Sequence, residues 1–272
     1  SAGMMCAAQA GQRGRRVLLV DHAPKLGERI RISGGGRCNF TNRLAGPENF
    51  LSANPHFAHS ALARYTPGHF VELLQRHRVS FEEREHAQLF CTDSAQDIID
   101  VLVRECERAG VRFAHPCAVE SVARREGGFS LATGQGRLDG ASLVVATGGL
   151  AVPQLGASAF GYRLAEQFGL AVVAPKPALV PLALAPEQLE PLKPLSGVAF
   201  ETTAQAGASP AFRESALITH RGLSGPSILQ VSSYWQQAGA REAITLDLLP
   251  GEDAEHWVAS KRRSHALPAK DR

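Results

Sequence analysis

Residues 33–42 read Ser-Gly-Gly-Gly-Arg-Cys-Asn-Phe-Thr-Asn, the stretch of this chain with the most chemistry per residue. Gly34, Gly35 and Gly36 strip the backbone of side chains, so a ligand can come within hydrogen-bonding distance of the amides. Arg37 follows with a fixed cationic fork that suits a phosphate. Ser33, Asn39, Thr41 and Asn42 add short polar groups around it. Such a loop fits a pyrophosphate or the edge of a polar heterocycle. A flexible linker would be longer and built from Gly and Ser, without the Arg-Cys-Asn insert. Cys38 either faces a bound ligand or packs as a small apolar residue.

A loop of this kind needs elements to hold it. Upstream, Gly3 opens an apolar stretch, Met4-Met5-Cys6-Ala7-Ala8, that reads as a helix running to Gly11 or Gly14. The run from Arg16 to Val20 has the continuous apolar character of a buried parallel strand, and it ends in Asp21. Helix, strand and acid, with the carboxylate about 20 residues beyond the glycines, match the second half of a dinucleotide-binding unit whose acid bonds ribose hydroxyls. The first half of that unit, a strand and two more glycines, does not precede Gly3, so the chain is expected to be a fragment of a longer protein. Residues 142–146 read as a second buried strand that delivers Ala146, Thr147 and Gly148 to its carboxyl end, where α/β folds place ligands.

Further along, Thr66-Pro67 predicts a helix start. Ser94 to Asp97 predicts a capping box before an amphipathic helix ending at Gly110. Strands are expected over 111–114, 118–124 and 129–133. From Gly169 prolines crowd between short apolar runs, which suggests a separate, mainly β region. A strand over 215–219 and a helix from Pro226 to Gln236, with Ser224 as its N-cap, fall inside it. The predicted division is 1–168 for the dinucleotide-binding domain, 169–250 for an inserted β domain, and 251–272 for the start of a helical insert.

Composition narrows the function. With 44% hydrophobic and 20% charged residues the chain is an ordinary globular protein. A net charge of +3, scattered basic residues and 6% aromatics give no argument for nucleic acid, and the Lys261-Arg262-Arg263 run reads as a solvated helix face. No apolar stretch reaches the length of a membrane span. Cys6, Cys38, Cys91, Cys106 and Cys117 show no metal-ligand spacing and suit a reducing compartment, so no metal and a cytoplasmic location are expected. His220 could donate a proton, but a lone histidine is more often structural. No acid–base pair stands out for a substrate.

With these residues in view, the chain resembles the bacterial YhiN/BaiN-like flavoproteins, which include enzymes described as 3-dehydro-bile-acid reductases and as aminoacetone oxidases. The matching blocks are residues 17–23, 29–42, 144–161 and 219–226. The resemblance implies an α/β, Rossmann-like FAD domain interrupted by a β domain and a helical insert. It makes Gly3 the last glycine of the phosphate turn and Asp21 the ribose acid. Ser33, Gly34, Gly35, Gly36, Arg37, Cys38 and Asn39 line the pyrophosphate and flavin. Val119 meets adenine through its backbone, and Ala146, Thr147 and Gly148 form the second flavin-contacting strand end. The function so implied is an FAD-dependent oxidoreductase that moves hydride between flavin and a small organic substrate, with NAD(P)H as candidate donor. An O₂-using amine oxidase and a non-catalytic flavin-binding protein stay open as alternatives. A methyltransferase would also hold a ribose with an acid after its second strand, but it gives no reason for the loop at 34–37.

Overall fold

The computed structural model describes residues 1–265. The chain forms two compact units, Ser1–Val173 and Ala174–Arg272; residues 266–272, the end of the expected helical insert, lie outside the described residues.

The first unit starts with α1 (Ala2–Gln12), whose Met4, Ala7 and Ala8 are buried. The small residues on that face let it approach α5 (Gln96–Arg108) closely: a Cβ on Gly11 would stand 2.4 Å from the carbonyl oxygen of Ala109. Strand β1 (Leu18–Val20) pairs in parallel with β5 (Arg112–Ala114), Leu19 opposite Phe113. The helical crossover between them is the arrangement that parallel strands require. Between these two strands come α2 (Glu28–Ile32), β2 (Asn39–Asn42), α3 (His59–Arg64), α4 (Pro67–Arg76), β3 (Phe81–Glu83) and β4 (Gln88–Cys91). Strands β2, β4 and β3 form an antiparallel sheet in that order. Ile98, Ile99, Val101, Leu102 and Cys106 on α5 pack with Leu73 and Leu74 of α4 and the buried face of α1 into one core. A meander of β6 (Val119–Arg125), β7 (Gly128–Thr133) and β8 (Gly136–Gly140) follows, and α6 (Phe160–Gln167) closes the unit.

Residues 142–146 do not form the strand that their apolar run predicts. They carry no regular structure, and Val144 is 64% exposed. A strand exists only where its amides and carbonyls find a ladder partner, and the parallel sheet of the described residues consists of β1 and β5 alone.

The second unit is mainly β, as its proline-punctuated texture suggests. β9 (Leu182–Ala183), β10 (Ala199–Ala206), β11 (Phe212–Thr219), β12 (Gly222–Ser224) and β13 (Ile244–Asp247) make a five-stranded antiparallel sheet in the order β13-β10-β11-β12-β9. A short α7 (Pro186–Leu189) follows β9, and α8 (Pro226–Gln237) packs Ile228 and Val231 on the sheet. Ser224 is not the cap of α8. It pairs with Leu217 in the sheet, and Gly225 caps the helix at φ 94°. A side chain at 225 would collide with the Ser215 carbonyl 2.7 Å away. The basic run at 261–263 lies on α9 (Ala254–His265), where Lys261 rests over the Trp257 ring.

Candidate functional site

The predicted site residues gather in the first unit as two groups joined by α2. One group surrounds the carboxyl end of β1. The Asp21 amide donates to the Ala114 carbonyl, and the Cys117 amide donates to the Asp21 carbonyl at 2.7 Å. These bonds fix the acid beside the chain that leads into Val119, the half-buried first residue of β6. Asp21 Oδ1 accepts from the Ala23 amide at 2.9 Å, and the His22 ring lies 3.6 Å from the same oxygen. The carboxylate is thus held in a turn at the strand end while its side chain stays about one-third exposed.

Gly3 belongs to the same group. A Cβ built on it would touch the Ala146 side chain at 3.6 Å, so the first turn of α1 lies against residue 146. Thr147 faces Gly161, and Gly148, at φ 75°, faces Arg29. Arg29 Nη2 donates to the Gly149 carbonyl at 2.8 Å. The unpaired run around 146–149 is therefore fixed by α1 on one side and by the first turn of α2 on the other.

The second group is the glycine loop at the far end of α2. Ser33 Oγ donates to the Ile30 carbonyl at 2.7 Å, and Gly34, Gly35 and Gly36 all adopt positive φ. At Gly34 the protein itself excludes a side chain, since a Cβ would stand 2.6 Å from the Asn39 amide nitrogen and 2.8 Å from the Phe90 ring. At Gly35 and Gly36 nothing lies within 4 Å of such a Cβ. The loop is anchored from below: the Cys91 amide donates to the Arg37 carbonyl, and the Ala95 amide to the Gly36 carbonyl at 2.7 Å. That last bond explains why α5 begins after Ala95 without the predicted capping box; Ser94 Oγ accepts from the Gln96 amide instead.

Within this loop the side chains separate by environment. Cys38 is buried, and burial pushes its thiol pKa up, against a smaller lowering by its hydrogen bond with Ser33. It is held as a packed thiol, not as a thiolate nucleophile. Asn39 is exposed and donates to Gln88 Oε1 at 3.3 Å. Arg37 is half-exposed and stands 3.7 Å from Glu82 Oε1, an oxygen that Arg84 already engages at 2.6 Å. Its guanidinium is only loosely paired.

Sequence reasoning assigned no role to Arg29, His22 or Tyr162, although Arg29 opens the block at 29–42 that carries the resemblance. The Tyr162 hydroxyl lies 3.4 Å from the Cβ position of Gly149, and His22 Nε2 lies 2.4 Å from that of Gly156. All five cysteines are free thiols. No group of three or more His, Cys, Asp or Glu residues suited to a metal occurs among the described residues. No described helix is long and apolar enough to cross a membrane.

A parallel strand pair with its crossover helix, an acid at the strand end, and a small-residue helix start beside it define a dinucleotide-binding α/β protein of Rossmann type. Residues 1–239 match the HI0933-like protein Rossmann domain, and the chain belongs to that family. It is 49% identical over 265 residues to the ribosomal RNA dihydrouridine synthase of Escherichia coli (strain K12). It is 40% identical over 268 residues to the protein of the same name from Haemophilus influenzae. Each comparison covers 97% of this chain, which spans 66% of the length of either relative. A 3-dehydro-bile acid delta(4,6)-reductase of Clostridium scindens is 25% identical over 246 residues, covering 88% of this chain and 59% of that protein. The family is one of FAD-dependent oxidoreductases, in agreement with the resemblance that the motifs carry.

The residues present fit an FAD. Asp21 is an acceptor able to take ribose hydroxyls. Gly3 and Ala146 keep the helix start free of bulk, and the open sides of Gly35 and Gly36 leave room for a ligand against the backbone.

Proposed function

We propose that the protein to which this chain belongs is an FAD-dependent reductase of carbon–carbon double bonds conjugated to a carbonyl, with uridine in ribosomal RNA as its substrate. Reduced FAD supplies a hydride, which together with a proton saturates such a bond. The observation that carries the flavin reading is the convergence of Asp21, the start of α1 and the segment at 146–149 on one strand end. The substrate class comes from the relatives' names. Dihydrouridine is uridine with its C5=C6 bond saturated, and that bond is conjugated to the C4 carbonyl. A 3-dehydro bile acid with double bonds at positions 4 and 6 presents the same chemical pattern.

The chain's own residues do the holding. Asp21 orients the adenosine ribose, and the backbone near Val119 borders the adenine. Ser33, Gly34, Gly35, Gly36 and Asn39 line the dinucleotide where backbone must approach it, while Cys38 packs beneath. Arg37 reaches from the loop as an adjustable cation. Ala146, Thr147 and Gly148 border the flavin from the opposite side. NAD(P)H is the proposed electron donor.

Anaerobic reduction of the full-length protein with NAD(P)H tests this directly. Bleached flavin bands that return on addition of unmodified ribosomal RNA support the reading. Bands that bleach with a small amine in place of NAD(P)H and return with O₂, with no return on RNA, support an oxidase instead.

A further inference from the structure

We infer that Arg29 is the residue that carries positive charge to the diphosphate of the bound dinucleotide, from a position fixed by the carbonyl of Gly149. The inference rests on the FAD reading above and adds a residue to it.

Arg29 is half-buried at the first turn of α2, yet no carboxylate lies within ion-pair distance of it among the described residues. Its neighbours Arg31 and Arg37 do have carboxylate partners, Glu28 and Glu82. A half-buried guanidinium without a counter-charge is costly unless an anion is supplied from elsewhere.

Its position says which anion. Nη2 is anchored on the Gly149 oxygen, and Nη1 lies 2.9 Å from where Gly148 would carry a Cβ. A Cβ at 148 would push the guanidinium aside, and φ 75° at that position itself favours glycine. A Cβ on Gly3, in the first turn of α1, would touch Ala146, and one on Gly148, two residues further on, would meet Arg29. The positive end of the helix dipole and the guanidinium thus converge on one corner, beside the small residues Gly3 and Ala146. Asp21 answers part of that charge, but its Oδ1 is engaged by the Ala23 amide and it forms no ion pair with Arg29. Two positive features facing one corner repel each other until an anion sits between them. A guanidinium has five N–H donors in a planar fork, and one bond to Gly149 leaves others for phosphate oxygens.

Titration of the full-length apoprotein separates this role from a structural one. Ligands are FAD and riboflavin, which lacks both phosphates; variants are Arg29→Ala, Arg29→Gln, Arg29→Lys and Arg37→Ala. Arg29→Gln keeps an N–H donor for the Gly149 carbonyl but removes the charge. It is expected to melt with the wild type, bind FAD about 10- to 100-fold more weakly, and bind riboflavin as the wild type does. Arg29→Lys should recover most of the loss, and Arg37→Ala should change FAD affinity less than Arg29→Gln. Wild-type FAD affinity in Arg29→Gln, or equal losses for FAD and riboflavin, would overturn the assignment while leaving the flavin reading intact. A wild-type protein that binds neither flavin would overturn both.

Discussion

Glu105 ties three helices of the first unit together, so its removal offers a quantitative test of how the site's foundation is built. Its Oε1 lies 2.7 Å from His77 Nε2 at the end of α4 and 3.1 Å from Arg108 Nη1. Gln12 Nε2 at the end of α1 donates to Oε2 at 3.1 Å. The His77 side chain is 2% exposed and that of Glu105 14%. Glu105→Ala removes a charge-assisted bond worth about 1.5–3 kcal/mol and leaves the buried His77 ring nitrogen only its long 3.4 Å contact with Arg108 Nη1, a further cost of up to about 1–3 kcal/mol. The Arg108 contact, two-thirds exposed, adds about 0–1 kcal/mol. Because the terms overlap, the expected loss is about 2–4 kcal/mol, and Glu105→Gln, which keeps an acceptor for His77, should lose about half of that. Burial alone would raise this carboxyl's pKa. The hydrogen bond and charge of His77, then Arg108, outweigh burial and hold it below the ordinary glutamate value. A lowered folded-state pKa means the stabilisation is complete above about pH 4.3 and is lost as pH falls through the folded value. The gap between wild type and Glu105→Ala should therefore narrow in acid. Hydrogen exchange of peptides from α1, α4 and α5 is the appropriate readout, since the two tryptophans, Trp235 and Trp257, both lie in the second unit. Wild-type protection in Glu105→Ala at neutral pH, or a gap unchanged down to about pH 3, would refute the reasoning.

Asp21→Ala should weaken FAD by about 10-fold and leave FMN, which lacks the adenosine ribose, nearly untouched; equal losses in a titration would remove Asp21 from the ribose. Gly34→Ala should destabilise the protein by at least 1–2 kcal/mol, roughly the left-handed penalty, because it also drives a methyl into the Asn39 amide and the Phe90 ring. Gly35→Ala, with open space beside it, should show the conformational penalty alone, so thermal melts of the pair distinguish steric from conformational need. Leu74→Ala, fully buried on α4 in the core that also holds α5 residues, should lower stability by about 2–5 kcal/mol in denaturant titrations.

Much of this architecture was legible in the sequence where one element decides its own structure. The apolar faces of α1, α4 and α5 and the Thr66-Pro67 start gave their helices, and Thr66 does cap α4 through the His69 amide. What stayed hidden depends on partners distant in sequence. The run at 142–146 is as apolar as a buried strand but lacks a neighbour to pair with. The start of α5 is set by a bond from Ala95 to Gly36, which no capping pattern encodes. β8, read as Gly-Arg-Leu-Asp-Gly, has few strand formers and exists because β7 offers it an edge. Within the site, the glycine loop and Asp21 were visible as motifs, whereas Arg29 gains meaning only once Gly148 and Gly149 are folded against it. The same limit applies to the substrate. The expectation of no nucleic acid rests on overall charge, which does not bear on one locally recognised nucleotide; RNA enters the proposal through the relatives' names.

The proposed activity is a flavin-dependent reduction of uridine in RNA. Its most direct test is nucleoside mass spectrometry of unmodified ribosomal RNA after incubation with the full-length FAD-loaded protein and NAD(P)H. A uridine that gains the mass of two hydrogen atoms is expected, dependent on FAD and diminished in Asp21→Ala. Flavin that cycles with NAD(P)H while every uridine keeps its mass would contradict it.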